Sequence, residues 1–151
     1  MGSVPPEMAA RVRHDPATLN YYGRLLEGRA GWPPGADTVV VLYWLVMSAQ
    51  PRFLPVFLTF APEDSGAVQR GSFDLAVYGL VQVDTLPAAR ERLIALGKPT
   101  VGRRYREPLA RILAASNSAA SREILREVAI SDLHPVIQEQ VRHALSPPGR
   151  R

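Results

Sequence analysis

The chain has 151 residues, no cysteine, 46% hydrophobic composition and a formal net charge of +4. Without cysteine, no disulfide and no thiolate-held metal can form, and a chain this long buries a core without such staples. Its most apolar window, residues 38–61, is broken by Gln50, Pro51, Arg52 and Pro55, so we expect a soluble protein with no spanning helix, while the compartment stays open.

Charge is unevenly placed. Residues 65–151 carry thirteen Lys plus Arg against eight acidic residues, whereas residues 1–64 carry five and six. Lys98 is the only lysine. The simplest reading is a compositional bias toward arginine, which raises the pI without implying guanidinium chemistry.

In chain order, residues 1–14 read as an N-terminal arm, 15–146 as one helical domain and 147–151 as a tail. Asp15 followed by Pro16 reads as an N-cap with proline in the first turn, predicting a helix to about Glu27 with Leu19, Tyr22, Leu25 and Leu26 on one face. Residues 28–37, GRAGWPPGAD, form a loop by composition, and Trp32 within it is an aromatic to fold back on the first helices or to stand as an exposed stacking platform. Residues 39–47, VVVLYWLVM, are apolar all round. A buried strand and a helix covered on most sides both fit this run; its length before Ser48 favours the helix.

A short helix is predicted over residues 53–60, with Pro55 tolerable in its first turn. The polar break APEDSG then ends one helix and opens the next, which makes residues 53–81 a helical hairpin. In residues 67–83, Val68, Ser72, Leu75 and Ala76 give a helical stripe, although Phe73, Leu75, Val77, Gly79 and Val81 also alternate like a strand. Further on the helical spacing is clearer: Leu86, Ala89, Leu93 and Leu96, closed by Gly97 and Pro99; Tyr105, Leu109, Ile112 and Leu113; Ala120, Ile124, Leu125 and Val128, opened by Asn117 and Ser118; and Ile137, Val141, Ala144 and Leu145 after His134 and Pro135. Pro108 implies either a kink or a helix starting near Glu107.

Starting the stripes at Val40, Val68, Tyr105 and Ile137 gives intervals of 28, 37 and 32 residues, about one helical pair each. One hairpin cannot cover its own apolar face, so stacking is the physical reason for such repetition. The stretch FLPVFLTFAPEDSGAVQR resembles the HEAT-repeat pattern of a Leu-Pro-bearing helix, an Asp-containing turn and a second helix opening near Val-Arg. SDLHPVIQEQVRHAL is similar, with Asp132, Pro135, Ile137, Val141 and Leu145 in corresponding places. Arg70 and Arg103 stand two residues after Val68 and Val101 instead of one, and Gln138 replaces the last arginine, so the family's Asp-Arg ladder departs here. The resemblance implies an all-α fold, a short α-solenoid of about seven or eight helices in stacked hairpins. It further implies a protein-binding or scaffold role without catalysis or cofactor. A mixed α/β domain, with residues 39–47 and 73–81 as strands, is the alternative fold.

On that resemblance the second helices line a concave wall, and Arg70, Asp74, Tyr78, Arg103, Arg104 and Arg142 are the candidate binding residues for a partner protein. Asp74 lies in an apolar context and, if buried, needs Arg70 four residues back or a partner on the next repeat. Asp15, Glu63, Asp64, Asp84 and Asp132 sit at expected helix starts as caps. His143 shares a helical face with Glu139, but no third metal ligand is near in sequence, and His134 fits a capping position. There is no G-x-S-x-G elbow and no phosphate-cradling glycine loop. Arg90, Arg92, Lys98, Arg103, Arg104, Arg106 and Arg111 make a basic segment that reads either as a solvated helix face or as a nucleic-acid surface. An enzymatic alternative, a HEAT-like lyase or glycosylase, requires Asp74 or Glu139 in a pocket.

Overall fold

The computed structural model describes residues 17, 20, 21, 23, 38–64 and 68–146. The expected arm at 1–14, the loop at 28–37 with Trp32 and the tail at 147–151 lie outside the described residues, as does most of the expected first helix, of which positions 17, 20, 21 and 23 are helical. Among the described residues the protein is all-α, with seven α-helices and no strand: α1 Thr38–Met47, α2 Leu54–Phe60, α3 Arg70–Gln82, α4 Pro87–Leu96, α5 Arg103–Ala115, α6 Ala119–Leu125 and α7 Pro135–Leu145. A 3-10 turn, Pro51–Phe53, leads into α2. None of these helices is long and apolar enough to cross a membrane.

The ambiguous run of residues 39–47 is a helix. Val41, Leu42, Trp44, Leu45 and Val46 are buried, and the exposed positions Val39, Tyr43 and Met47 recur every fourth residue, the spacing of a helix and not of a strand. Its β-branched residues lower helix propensity slightly, but burying a Leu or Trp side chain is worth about 1.5–3 kcal/mol each, so packing decides. The helix ends where Ser48 Oγ donates to the Leu45 carbonyl at 2.6 Å and Ala49 turns to a φ of 53°, the left-handed region that a Cβ disfavours.

α3 is the hub of the core, with Phe73, Ala76, Val77 and Leu80 fully shielded. Of the expected stripe, Ser72 and Ala76 are buried on this side of the helix, Leu75 is half-buried against the core, and Val68, which precedes the helix, also packs on the core. Gly79 is there for contact, because a Cβ at that position would lie 2.7 Å from the Phe57 ring. In the later helices the expected faces hold, with Ala89, Leu93, Leu96, Leu109, Ile112, Leu113, Ile124, Leu125, Val128, Val141 and Ala144 buried. α5 begins at Arg103 and runs through a buried Pro108, which excludes a start near Glu107. Pro108 leaves the Arg104 carbonyl without its usual helical donor.

The helices touch in a regular order. α1 packs on α3, α3 on α5 and α5 on α7; α2 packs on α4 and α4 on α6. α3 also meets α2 and α4, while α5 meets α4 and α6. The core lies between these two rows.

Capping is partly as expected. Ser118 Oγ accepts from the backbone N–H groups of Ala120 and Ser121, and His134 Nδ1 accepts from Val136 N at 3.1 Å. Asp84 and Asp132 do not cap. The N-cap of α4 is Leu86, and the buried Asp84 instead accepts from Ser121 Oγ at 2.6 Å. Asp132 accepts the two-pronged guanidinium of Arg106, both contacts at 2.6 Å. Glu63 and Asp64 are exposed, and α3 is preceded by Gln69 as its N-cap.

Candidate interaction surface

All six candidate binding residues fall on α3, α5 and α7, the row that begins with α1. Arg70, Asp74 and Tyr78 are on α3, Arg103 and Arg104 open α5, and Arg142 is in the last turn of α7. The helical spacing of positions 70, 74 and 78 puts them along one side of α3. Arg70 and Tyr78 are exposed while Asp74 is half-buried.

Two depressions run along this row. A cleft of about 190 Å³ between α3 and α5 is lined by Asp74, Tyr78, Pro108, Arg111 and Ile112. A larger groove of about 680 Å³ lies between α5 and α7. Its walls carry Ala114, Ala115, Val136 and Ala144, with Arg111, Glu139, Gln140 and His143 as its polar groups. Arg111 borders both.

Asp74 is the electrostatically unusual member. Its Oδ1 is shielded from solvent and has no hydrogen-bond partner among the described residues. Burial raises its pKa above the ordinary carboxylate value, and the positive fields of Arg70 and Arg111 pull it back down. The expected ion pair with Arg70 is absent: among the described residues no cation lies within 4.0 Å of the Asp74 carboxylate. The i to i+4 spacing brings the two residues to one face but does not close the contact.

The other candidates are dispersed. Arg103 sits near enough to Asp132 to help hold that carboxylate low. The Arg104 guanidinium lies 5.5 Å from the Tyr105 ring, whose edge-on partner at 5.0 Å is Phe73. Arg142 is paired with Glu139 at 2.7 Å and also reaches Gln138. The structure therefore gathers Asp74 and Tyr78 in one cleft with Arg111, which the sequence had placed only within a basic segment.

That segment does not act as one patch. Arg90 pairs with Glu123 at 3.1 Å, and Arg92 donates to the carbonyls of Leu58 and Ala61, at the end of α2. Arg106 is buried at 3% exposure and donates to Val101 O, Ala129 O and Asp132. Lys98, Arg103, Arg104 and Arg111 remain exposed. Sequence reading missed the burial of Arg106, for which the signal was its place three residues before Leu109, on the core side of the helix.

Glu139 and His143 both line the larger groove, as their spacing predicts. No group of three or more His, Asp or Glu residues that could hold a metal is found among the described residues. Asp74 and Glu139 each border a cavity, on opposite sides of Arg111. No protein family, no curated protein and no solved structure matches the chain.

Proposed function

We propose that the chain is a short HEAT-like α-solenoid that binds another protein along the row formed by α3, α5 and α7, and that it acts as an interaction or scaffold module without catalysis. The observation that carries this reading is the order of contacts, α1 to α3 to α5 to α7 in one row and α2 to α4 to α6 in the other. Stacked hairpins produce such an order, because each covers the apolar flank of its neighbour and leaves one row of helices free to present side chains. The groove between α5 and α7 supports the choice of row, since an apolar trough with a few polar groups on its border is what a partner side chain fills.

The test compares partner recovery by the wild type with that by Val136→Asp and Ala115→Glu, both at exposed positions in the groove, and by Glu127→Arg outside it. Loss of the same partners in the two groove variants and their retention in Glu127→Arg is the expected outcome. Equal recovery by all four proteins would overturn the assignment of the surface.

A further inference from the structure

Resting on the binding reading above, we infer that the groove between α5 and α7 receives an acidic amphipathic helix, whose aliphatic side chains fill the trough while one of its carboxylates pairs with Arg111.

The shape argues for a helix. Peptides are recognised by adding a strand to a sheet edge, by laying an extended polyproline helix on aromatic side chains, or by seating an amphipathic helix in an apolar trough. The described residues contain no strand to extend. Among the described residues no Phe, Tyr or Trp lines the α5–α7 groove, and Tyr78 belongs to the neighbouring cleft. What the groove offers is short alanine side chains between two helices, with Val136 57% exposed on its wall. Small residues let a third helix approach closely, and its side chains at i, i+4 and i+7 then meet the trough.

The charge argues for an acidic one. Arg111 is exposed, borders both depressions, and has no ion-pair partner within 4.0 Å among the described residues. Asp74 shares the neighbouring cleft with Arg111, but it faces the fields of both Arg70 and Arg111, so this part of the row keeps a positive excess. Across the groove, Glu139 is balanced by Arg142 at 2.7 Å, and Gln140 and His143 add no negative charge. A carboxylate arriving beside Arg111 therefore gains a charge-assisted hydrogen bond, whereas a lysine there meets like charge.

The experiment displays a library of helix-forming peptides with apolar residues fixed at i, i+4 and i+7 and flanking positions drawn from Asp, Glu, Gln, Lys and Arg, selected against the full chain. The expected result is enrichment of Asp and Glu beside the apolar anchors. Binding of the selected peptides should weaken roughly tenfold on Arg111→Glu, the worth of one charge-assisted contact, and selection against that variant should enrich Lys and Arg. Ala115→Glu, which fills the trough from an exposed position, should bind none of them. Peptides selected with neutral or basic flanks would overturn the acidic partner while leaving the groove as a binding surface. Peptides that bind Ala115→Glu as well as the wild type, or no enrichment at all, would overturn both.

Discussion

Replacing Arg106 by leucine tests a buried, multiply hydrogen-bonded contact in the C-terminal half of the fold. The guanidinium is buried, and it donates through Nε to Val101 O at 2.7 Å, through Nη1 to Ala129 O at 2.8 Å, and through both Nη atoms to the Asp132 carboxylate at 2.6 Å. Leucine keeps much of the apolar stem but supplies no donor, so two carbonyls lose a partner at a cost of about 1–3 kcal/mol each where water cannot replace it. Asp132 is half-exposed and rehydrates when released, which holds the total near the lower end of the range for breaking a buried pair, about 3 kcal/mol. With an m value of about 1.5 kcal/mol per molar urea, the midpoint of unfolding should fall by about 2 M at unchanged m. Acid gives an independent reading. The Arg106 hydrogen bonds lower the Asp132 pKa from 3.8 to about 2, so the folded state favours the ionised carboxylate; the resulting stabilisation is complete above about pH 4 and is lost as pH falls toward 2. The gap between wild type and Arg106→Leu should therefore narrow over that window. A midpoint shift below about 0.3 M, or a gap that stays constant down to acid pH, would refute the reasoning.

Substitutions at three further positions probe single features by urea unfolding. Ser121→Ala removes the donor to buried Asp84 and should destabilise by about 1–3 kcal/mol, with Ser121→Thr milder if the hydroxyl is kept. Asp74→Asn should stabilise by about 1 kcal/mol at neutral pH, because an ionised oxygen with no hydrogen-bond partner among the described residues is replaced by a neutral amide. Since burial raises the Asp74 pKa in the fold, the wild type gains stability as pH falls from neutral toward 3.8 and the advantage of the amide should shrink over the same window; a pH-independent difference would contradict this. Ala49→Gly relieves a left-handed residue at the end of α1 and should stabilise by about 0.5–1 kcal/mol, and a loss of stability would show that the Cβ is needed there.

Periodicity made the C-terminal half legible because its helices are amphipathic, each with a clear polar side to contrast with Leu93, Leu109, Ile124 or Val141. α1 lacks that contrast, so a helix and a buried strand could be told apart only by length, and in α3 the helical stripe and the strand-like alternation overlap, since Ser72 and Ala76 are buried beside Phe73 and Val77. Polar partners were harder still. Asp84 and Asp132 stand where caps usually stand, and only the return of the chain brings Ser121 and Arg106 to them, 37 and 26 residues away. Arg106 looked like one more charge in a basic run, because its burial depends on which carbonyls the next turn presents. Asp74 was singled out from its apolar neighbours alone, but its missing partner is a matter of side-chain geometry that spacing does not carry.

Those long-range polar contacts also bear on the proposed groove. Interdigitated helix faces favour a limited set of registers, and directional bonds narrow that set further. Arg92 ties α4 to the end of α2, Asp84 ties the turn after α3 to α6, and Arg106 ties α5 to the turn that leads into α7. The last of these adds a polar tie to the packing of α7 on α5, beside the trough between them. Glu107 assists by accepting from His134 N at 2.8 Å, at the very start of α7. Arg106→Lys should keep the charge but lose the planar fork that holds both Asp132 oxygens. It should therefore weaken the peptides selected on the wild type by several-fold, on the order of 1 kcal/mol, although Arg106 does not line the groove. Fluorescence-anisotropy titration under conditions where circular dichroism shows the variant folded would measure this, and unchanged affinity would mean that the packing of α5 on α7 alone fixes the trough.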